Sequence, residues 1–144
     1  MRSIVVFAIG FSLAVAVPAA AVELRPIEVR KGTDGLVPVP LTVSNATSRP
    51  IVCMAEIAHW YSAELGRAIA GADAAIGLWR DPSDGAFVAL NDSEENLPVE
   101  KLWCGFVGRS YETRTELVLD RGAPSVPAPR TIRCAEQAGQ LVCS

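Results

Sequence analysis

Ile51-Val52-Cys53-Met54-Ala55-Glu56-Ile57-Ala58-His59-Trp60-Tyr61-Ser62-Ala63-Glu64-Leu65-Gly66-Arg67-Ala68-Ile69-Ala70 is the stretch on which the fold turns. At period two, Cys53, Ala55, Ile57, His59, Tyr61, Ala63 and Leu65 share one face, with Val52, Met54, Glu56, Ala58, Trp60, Ser62 and Glu64 on the other. At the helical period, Met54, Ile57, Ala58, Tyr61, Leu65 and Ala68 form a stripe, with Ser48 as a cap and Pro50 in the first turn. The Ala/Glu/Leu content favours helix. The short turn after a clear strand favours a hairpin partner for that strand. The expectation is a strand through about Ser62, with a short helix within 51–70 as the alternative.

Outward from this stretch the sequence reads as β. Upstream, Val37, Val39, Leu41 and Val43 alternate with Pro38, Pro40, Thr42 and Ser44, a period-two strand whose prolines suit a sheet edge. Downstream, segments 75–80 and 86–90 flank Asp81-Pro82-Ser83-Asp84-Gly85, a strong turn signal between two strands. Asn91 to Asn96 is a polar acidic loop. Val99 to Val107 is a near-continuous apolar run that fits a central strand. Tyr111, Thr113, Thr115, Leu117 and Leu119 alternate with Glu112, Arg114 and Glu116 as a half-buried strand. The segment 122–130 carries Pro124, Pro127 and Pro129 and reads as an extended connector. The expected fold is all-β, an antiparallel sandwich or small barrel of about seven to eight short strands.

Four cysteines staple it. Ala138-Gly139 at the centre of a two-residue turn sets Cys134 directly opposite Cys143. Counting out from the turn makes them a non-hydrogen-bonded pair, where side chains approach closest. Ala138 is a poor residue for a type I′ turn. Cys53–Cys104 follows by elimination and closes a loop worth roughly 4 kcal/mol in the chain-entropy model. That bridge is expected to tie two layers together, with Trp103 and Trp60 as candidates to pack on its sulfurs. No CxxC spacing points to a metal or redox site.

The N-terminus explains the cysteines. Arg2 precedes an apolar run from Ile4 to Val17, then Pro18 and Ala19-Ala20-Ala21. This is the pattern of a secretory signal peptide, residues 1–21, cleaved after Ala21. The run is too short to span a bilayer. Removal leaves one β domain, 22–144, with 123 residues, a formal charge of −4 and an apolar fraction near 46%. No later segment reaches spanning length, so the expected location is the periplasm or the extracellular space. The acidic balance argues against a nucleic-acid partner.

No catalytic residue, cofactor or metal is assigned. His59 is the single histidine, which rules out a multi-histidine zinc site, and no serine sits in a nucleophile-elbow pattern. The binding candidates are His59, Trp60, Tyr61 and Trp79, because tryptophan and tyrosine are over-represented at contact hot spots. Asp92, Glu94 and Glu95 lack a calcium-loop pattern and read as a solvated loop. Asn45-Ala46-Thr47 and Asn91-Asp92-Ser93 match the glycosylation sequon by chance in an arginine-rich, lysine-poor chain of bacterial character. The favoured function is an exported, non-catalytic binding or accessory module with a protein partner in the cell envelope. The alternatives are an inhibitor of a secreted lysozyme or protease, using the 91–96 loop on a basic enzyme, and a small enzyme built on His59.

Overall fold

A computed structural model describes residues 29–57, 61–122 and 127–144. The segment 1–21, expected as a signal peptide, therefore lies outside the described residues. Every regular element among the described residues is a strand. In chain order these are β1 (Val37–Pro38), β2 (Leu41–Asn45), β3 (Ile51–Ile57), β4 (Tyr61–Ala68), β5 (Asp73–Ile76), β6 (Trp79–Arg80), β7 (Phe87–Leu90), β8 (Asn96–Phe106), β9 (Thr115–Leu117), β10 (Arg130–Gln137) and β11 (Gln140–Cys143).

They form two sheets. One runs β1-β6-β7-β8-β3-β4, with β9 also pairing to β8. The other runs β11-β10-β2-β5. All pairs are antiparallel except β2 with β10, so the second sheet is mixed rather than purely antiparallel. These two strands lie far apart in the chain, which leaves ample length for the crossover that parallel pairing requires.

The stretch 51–70 holds no helix among its described residues. It is not one strand through Ser62 either. β3 and β4 pair antiparallel, from Ile51↔Ala68 to Ile57↔Tyr61. Nor is β3 the hairpin partner of the preceding strand, because β2 belongs to the other sheet. The alternating residues of β3 (Ile51, Cys53, Ala55, Ile57) are buried in the shared core, which favours a strand over Ala-rich helix propensity.

Two segments expected as single strands each divide between the sheets. The strand expected at 37–44 splits into β1 and β2 at Val39-Pro40, and the one expected at 75–80 is shared by β5 and β6, which part at Gly77-Leu78. The two run antiparallel throughout, from Val37↔Arg80 to Ser44↔Asp73. At the bend, the Val39 amide donates to the Leu78 carbonyl at 2.9 Å, and the Leu41 amide donates to the Val39 carbonyl at 2.8 Å. The latter bond closes a three-residue turn around Pro40, whose fixed φ suits it and whose missing N–H costs no ladder bond there.

One core cluster draws on both sheets. Ile51, Cys53, Leu102, Cys104 and Phe106 come from the first, and Leu41, Val43, Ile132, Cys134 and Leu141 from the second. A barrel is not closed. Between β4 and β5 the Gly77 amide donates to the Leu65 carbonyl at 3.2 Å, and between β9 and β11 the Thr115 hydroxyl donates to the Leu141 carbonyl. No strand ladder joins these edges among the described residues.

Both disulfides pair as the spacing implies. Arg133 and Ser144 exchange both amide bonds, at 2.9 and 3.0 Å, so the adjacent Cys134/Cys143 pair is a non-hydrogen-bonded one. Ala138 and Gly139 both take positive φ, 50° and 79°, giving a type I′ turn despite the alanine.

The other bridge departs from expectation. Cys53 and Cys104 are directly opposed on β3 and β8, so the bond joins neighbours within one sheet and does not tie two layers. Trp103 does not pack on its sulfurs, because consecutive strand residues point to opposite faces. It lies on the outer face with its ring edge-on to Tyr111, centroids 6.2 Å apart. The segment 107–114 folds back over that face as turns, so the half-buried strand expected from Tyr111 shrinks to β9, Thr115–Leu117. Buried Thr113 anchors the turn, its hydroxyl accepting from the Phe106 amide at 2.9 Å and donating to the Arg109 carbonyl at 2.7 Å.

Candidate functional site

The aromatic candidates do not form one described site. His59 and Trp60 lie outside the described residues. Tyr61 opens β4 and is 53% exposed. Trp79 is half-buried on β6, opposite Pro38 and Val88. Four strand spacings separate β6 from β4, roughly 19 Å at 4.8 Å each. Tyr61 and Trp79 therefore cannot contact one small ligand together.

The acidic loop is held from its base. The Asn91 side-chain oxygen accepts from the Ser93 and Glu95 amides at 3.0 and 2.8 Å, and its amide nitrogen donates to the Glu95 carboxylate at 2.8 Å. Asp92, Ser93 and Glu94 face solvent. Among the described residues no three His, Cys, Asp or Glu side chains converge to hold a metal ion.

Asn45 is an interior joint. It is almost fully buried, and its side-chain amide donates to the Arg49, Ala68 and Ile69 carbonyls at 2.8, 3.2 and 3.0 Å. Those bonds tie the end of β2 to the end of β4 across the two sheets. A side chain so enclosed has no room for a glycan, whatever its sequon.

A cavity of about 280 Å³ lies where the two bent segments cross between sheets. Val39 and Leu41 from the first crossover, Leu78 from the second, and Phe87 and Leu119 line it. Pro127 and Ala128 also line it.

Charge enters the cavity lining through Arg80, Asp120 and Arg130. Arg80 is only 4% exposed. It follows Ile76 and Leu78 at period two, so the strand phase turns it inward. One of its terminal nitrogens donates to the Arg121 carbonyl at 2.8 Å. Arg130 donates to the Val118 carbonyl at 3.2 Å, which places its head at the rim. Arg121 reaches across β8 to the Val99 carbonyl at 3.0 Å and lies 5.6 Å from the Phe87 ring centre.

Behind Arg80, the turn 81–85 is organised by Asp81. Its carboxylate accepts from the Ser83 hydroxyl at 2.6 Å and the Ser83 amide at 2.9 Å, and pairs with Arg30 at 3.1 Å. The Ser83 hydroxyl first and then its amide hold the Asp81 carboxyl below the ordinary aspartate range; burial opposes them, and Arg30 adds a lesser lowering. On the exposed face of β4, Arg67 likewise lowers the Glu64 carboxyl through their hydrogen bonds.

No family model, curated protein or solved structure matches the chain.

The sequence did carry a signal for this site. Arg80 stands at an inward position of a period-two run, where an arginine is unusual. It also flanks the 81–85 turn, where a charged residue is ordinary, so the pattern alone does not single it out. The cavity itself leaves no mark in the pattern, because it arises from the strand bends.

Proposed function

We propose that the protein is an exported, non-catalytic binding module, a β-sandwich that takes a small apolar ligand into the crossover cavity and serves the cell envelope. The observation that carries this reading is the cavity lining: leucine, valine and phenylalanine walls with charge confined to Arg80, Asp120 and Arg130. Ligand sites are typically concave and mostly apolar, with a few placed polar groups. Arginine remains protonated, so neither Arg80 nor Arg130 can abstract a proton. Two disulfides fit an oxidising compartment, and the leader-like residues 1–21 supply a route to it.

Toluene, a neutral probe of suitable size, tests the reading by calorimetric titration of the full disulfide-bonded chain. Binding at one site, lost in a folded Leu119→Trp variant that fills the cavity, is the expected result. No binding, or equal binding to the variant, overturns it.

A second reading is an accessory role in which an envelope protein docks beside β4. It is favoured by exposed Tyr61 at the start of an edge strand, beyond the Leu65 contact to β5. Such edges offer backbone groups for strand addition.

A further inference from the structure

We propose that Asp34-Gly35 is a self-modification site, at which the folded chain converts its own backbone to the isoaspartyl form. The site is independent of the crossover cavity.

The chemistry needs only the residue pair, water and room to react. The Gly35 backbone nitrogen attacks the carboxyl carbon of the protonated Asp34 side chain. A carbon–nitrogen bond forms, a carbon–oxygen bond breaks, and the hydroxyl leaves with the amide proton as water. Water then reopens the cyclic imide. Cleavage at the Asp34 main-chain carbonyl leaves the chain running through the former side chain, beside a free carboxylate. One water leaves and one enters, so the step is an isomerisation with no transfer of electrons. Glycine in second place favours it, because no Cβ hinders ring closure and the backbone turns freely.

The sequence holds two such pairs, Asp34-Gly35 and Asp84-Gly85. The fold separates them. At the second pair both reacting groups are occupied. The Gly85 amide donates to the Asp81 carbonyl at 2.9 Å, and the Asp84 carboxylate accepts from the Ala86 amide at 2.8 Å. Gly85 is also buried, and a Cβ added there would lie 2.6 Å from the Arg121 carbonyl oxygen. At the first pair both residues are exposed, and nothing beyond the chain neighbours would lie within 4 Å of a Cβ added at Gly35. Among the described residues, neither the Gly35 amide nor the Asp34 carboxylate has a hydrogen-bond partner.

The base of this turn is nevertheless held. The Gly32 amide donates to the Glu94 carbonyl at 2.8 Å, and the Asn96 side chain donates to the Gly32 carbonyl at 2.8 Å. β1 follows at Val37. The Leu36 amide closes the turn on the Thr33 carbonyl at 2.9 Å, and this is the bond the longer isoaspartyl backbone has to give up. The tip can therefore react while the strands around it stay paired, as is usual for exposed loop tips.

The test warms the full disulfide-bonded chain in mildly acidic heavy-oxygen water, folded and in urea, and maps isoaspartate and labelled oxygen by peptide mass spectrometry. In the folded chain Asp34 is expected to convert about tenfold faster than Asp84, because two hydrogen bonds must first be released at Asp84. In urea the two rates are expected to converge. Asp34→Glu, at an exposed position, is expected to abolish conversion there, because its ring would be larger and slow to close. No conversion at Asp34 in the folded chain, or conversion at Asp84 at the same rate, overturns the inference. So does a preference that persists unchanged in urea, or label retained at this position in Asp34→Glu.

Discussion

Cys53 and Cys104 face each other across β3 and β8 with alpha carbons 4.0 Å apart, both almost fully buried, at the centre of the larger sheet. The bridge spans 51 positions of sequence, whereas Cys134–Cys143 spans 9. In the chain-entropy model the longer loop constrains the unfolded chain by about 1.5 kcal/mol more. Cys53→Ser is therefore expected to destabilise more than Cys143→Ser, by at least that margin because it also buries a lone polar group. Urea unfolding of the two variants measures the difference, and equal losses would show that loop length does not govern here.

The hairpin turn carries a correctable strain. Ala138 holds a φ of 50°, a region that disfavours residues with a Cβ other than asparagine and aspartate. Ala138→Asn is expected to stabilise the protein by about 1 kcal/mol without disturbing the Cys134–Cys143 register. Thermal unfolding checks it, and an unchanged or lower midpoint counts against the turn geometry.

Gly105 marks the close passage of the 107–114 segment over β8. A Cβ added there would lie 2.1 Å from the Ser110 carbonyl oxygen, so backbone must move. Gly105→Ala is expected to cost about 1–3 kcal/mol, the usual range for overpacking. It should also shift the near-ultraviolet signal of Trp103, because Tyr111 moves with the segment. A variant as stable as wild type, with an unaltered spectrum, would contradict this packing.

Much of this architecture was legible in the residues, and the losses have a common cause. The two-residue turn at Ala138-Gly139 fixes its register by counting, so the Cys134–Cys143 bridge follows directly. The apolar run that became β8 stands out because core on one face and the 107–114 segment on the other leave it few polar positions. A period-two pattern does not record which sheet a strand belongs to. The alternation through Val39-Pro40 and Gly77-Leu78 therefore hid both crossovers, and with them the cavity. Arg80 was legible in phase, as the third inward residue after Ile76 and Leu78, but only the bend gives that phase meaning. Tyr111 and Thr113 alternate like a strand although turns occupy those positions, because Thr113 is buried as an anchor rather than as a ladder residue.

Asp81 makes stability depend on acidity in a defined direction. Its carboxyl is held lower in the folded chain than in the unfolded one, chiefly by Ser83 and further by Arg30. The folded state therefore gains stability above the unfolded value, near 3.9, and loses it as the pH falls through the lower folded value. Asp81→Asn should be less stable than wild type at neutral pH, and the gap should close progressively below about pH 4. Urea midpoints of both proteins across that window measure the gap, and a constant difference would show that the Asp81 charge is not what stabilises the turn.

The central claim is that the crossover cavity is the binding site, and two-dimensional NMR of the labelled full chain titrated with toluene tests it most directly. The account predicts shifts concentrated at Leu41, Leu78, Arg80, Phe87, Leu119 and Arg130. Shifts confined to Tyr61 and the rest of β4, or no shifts at all, would contradict it.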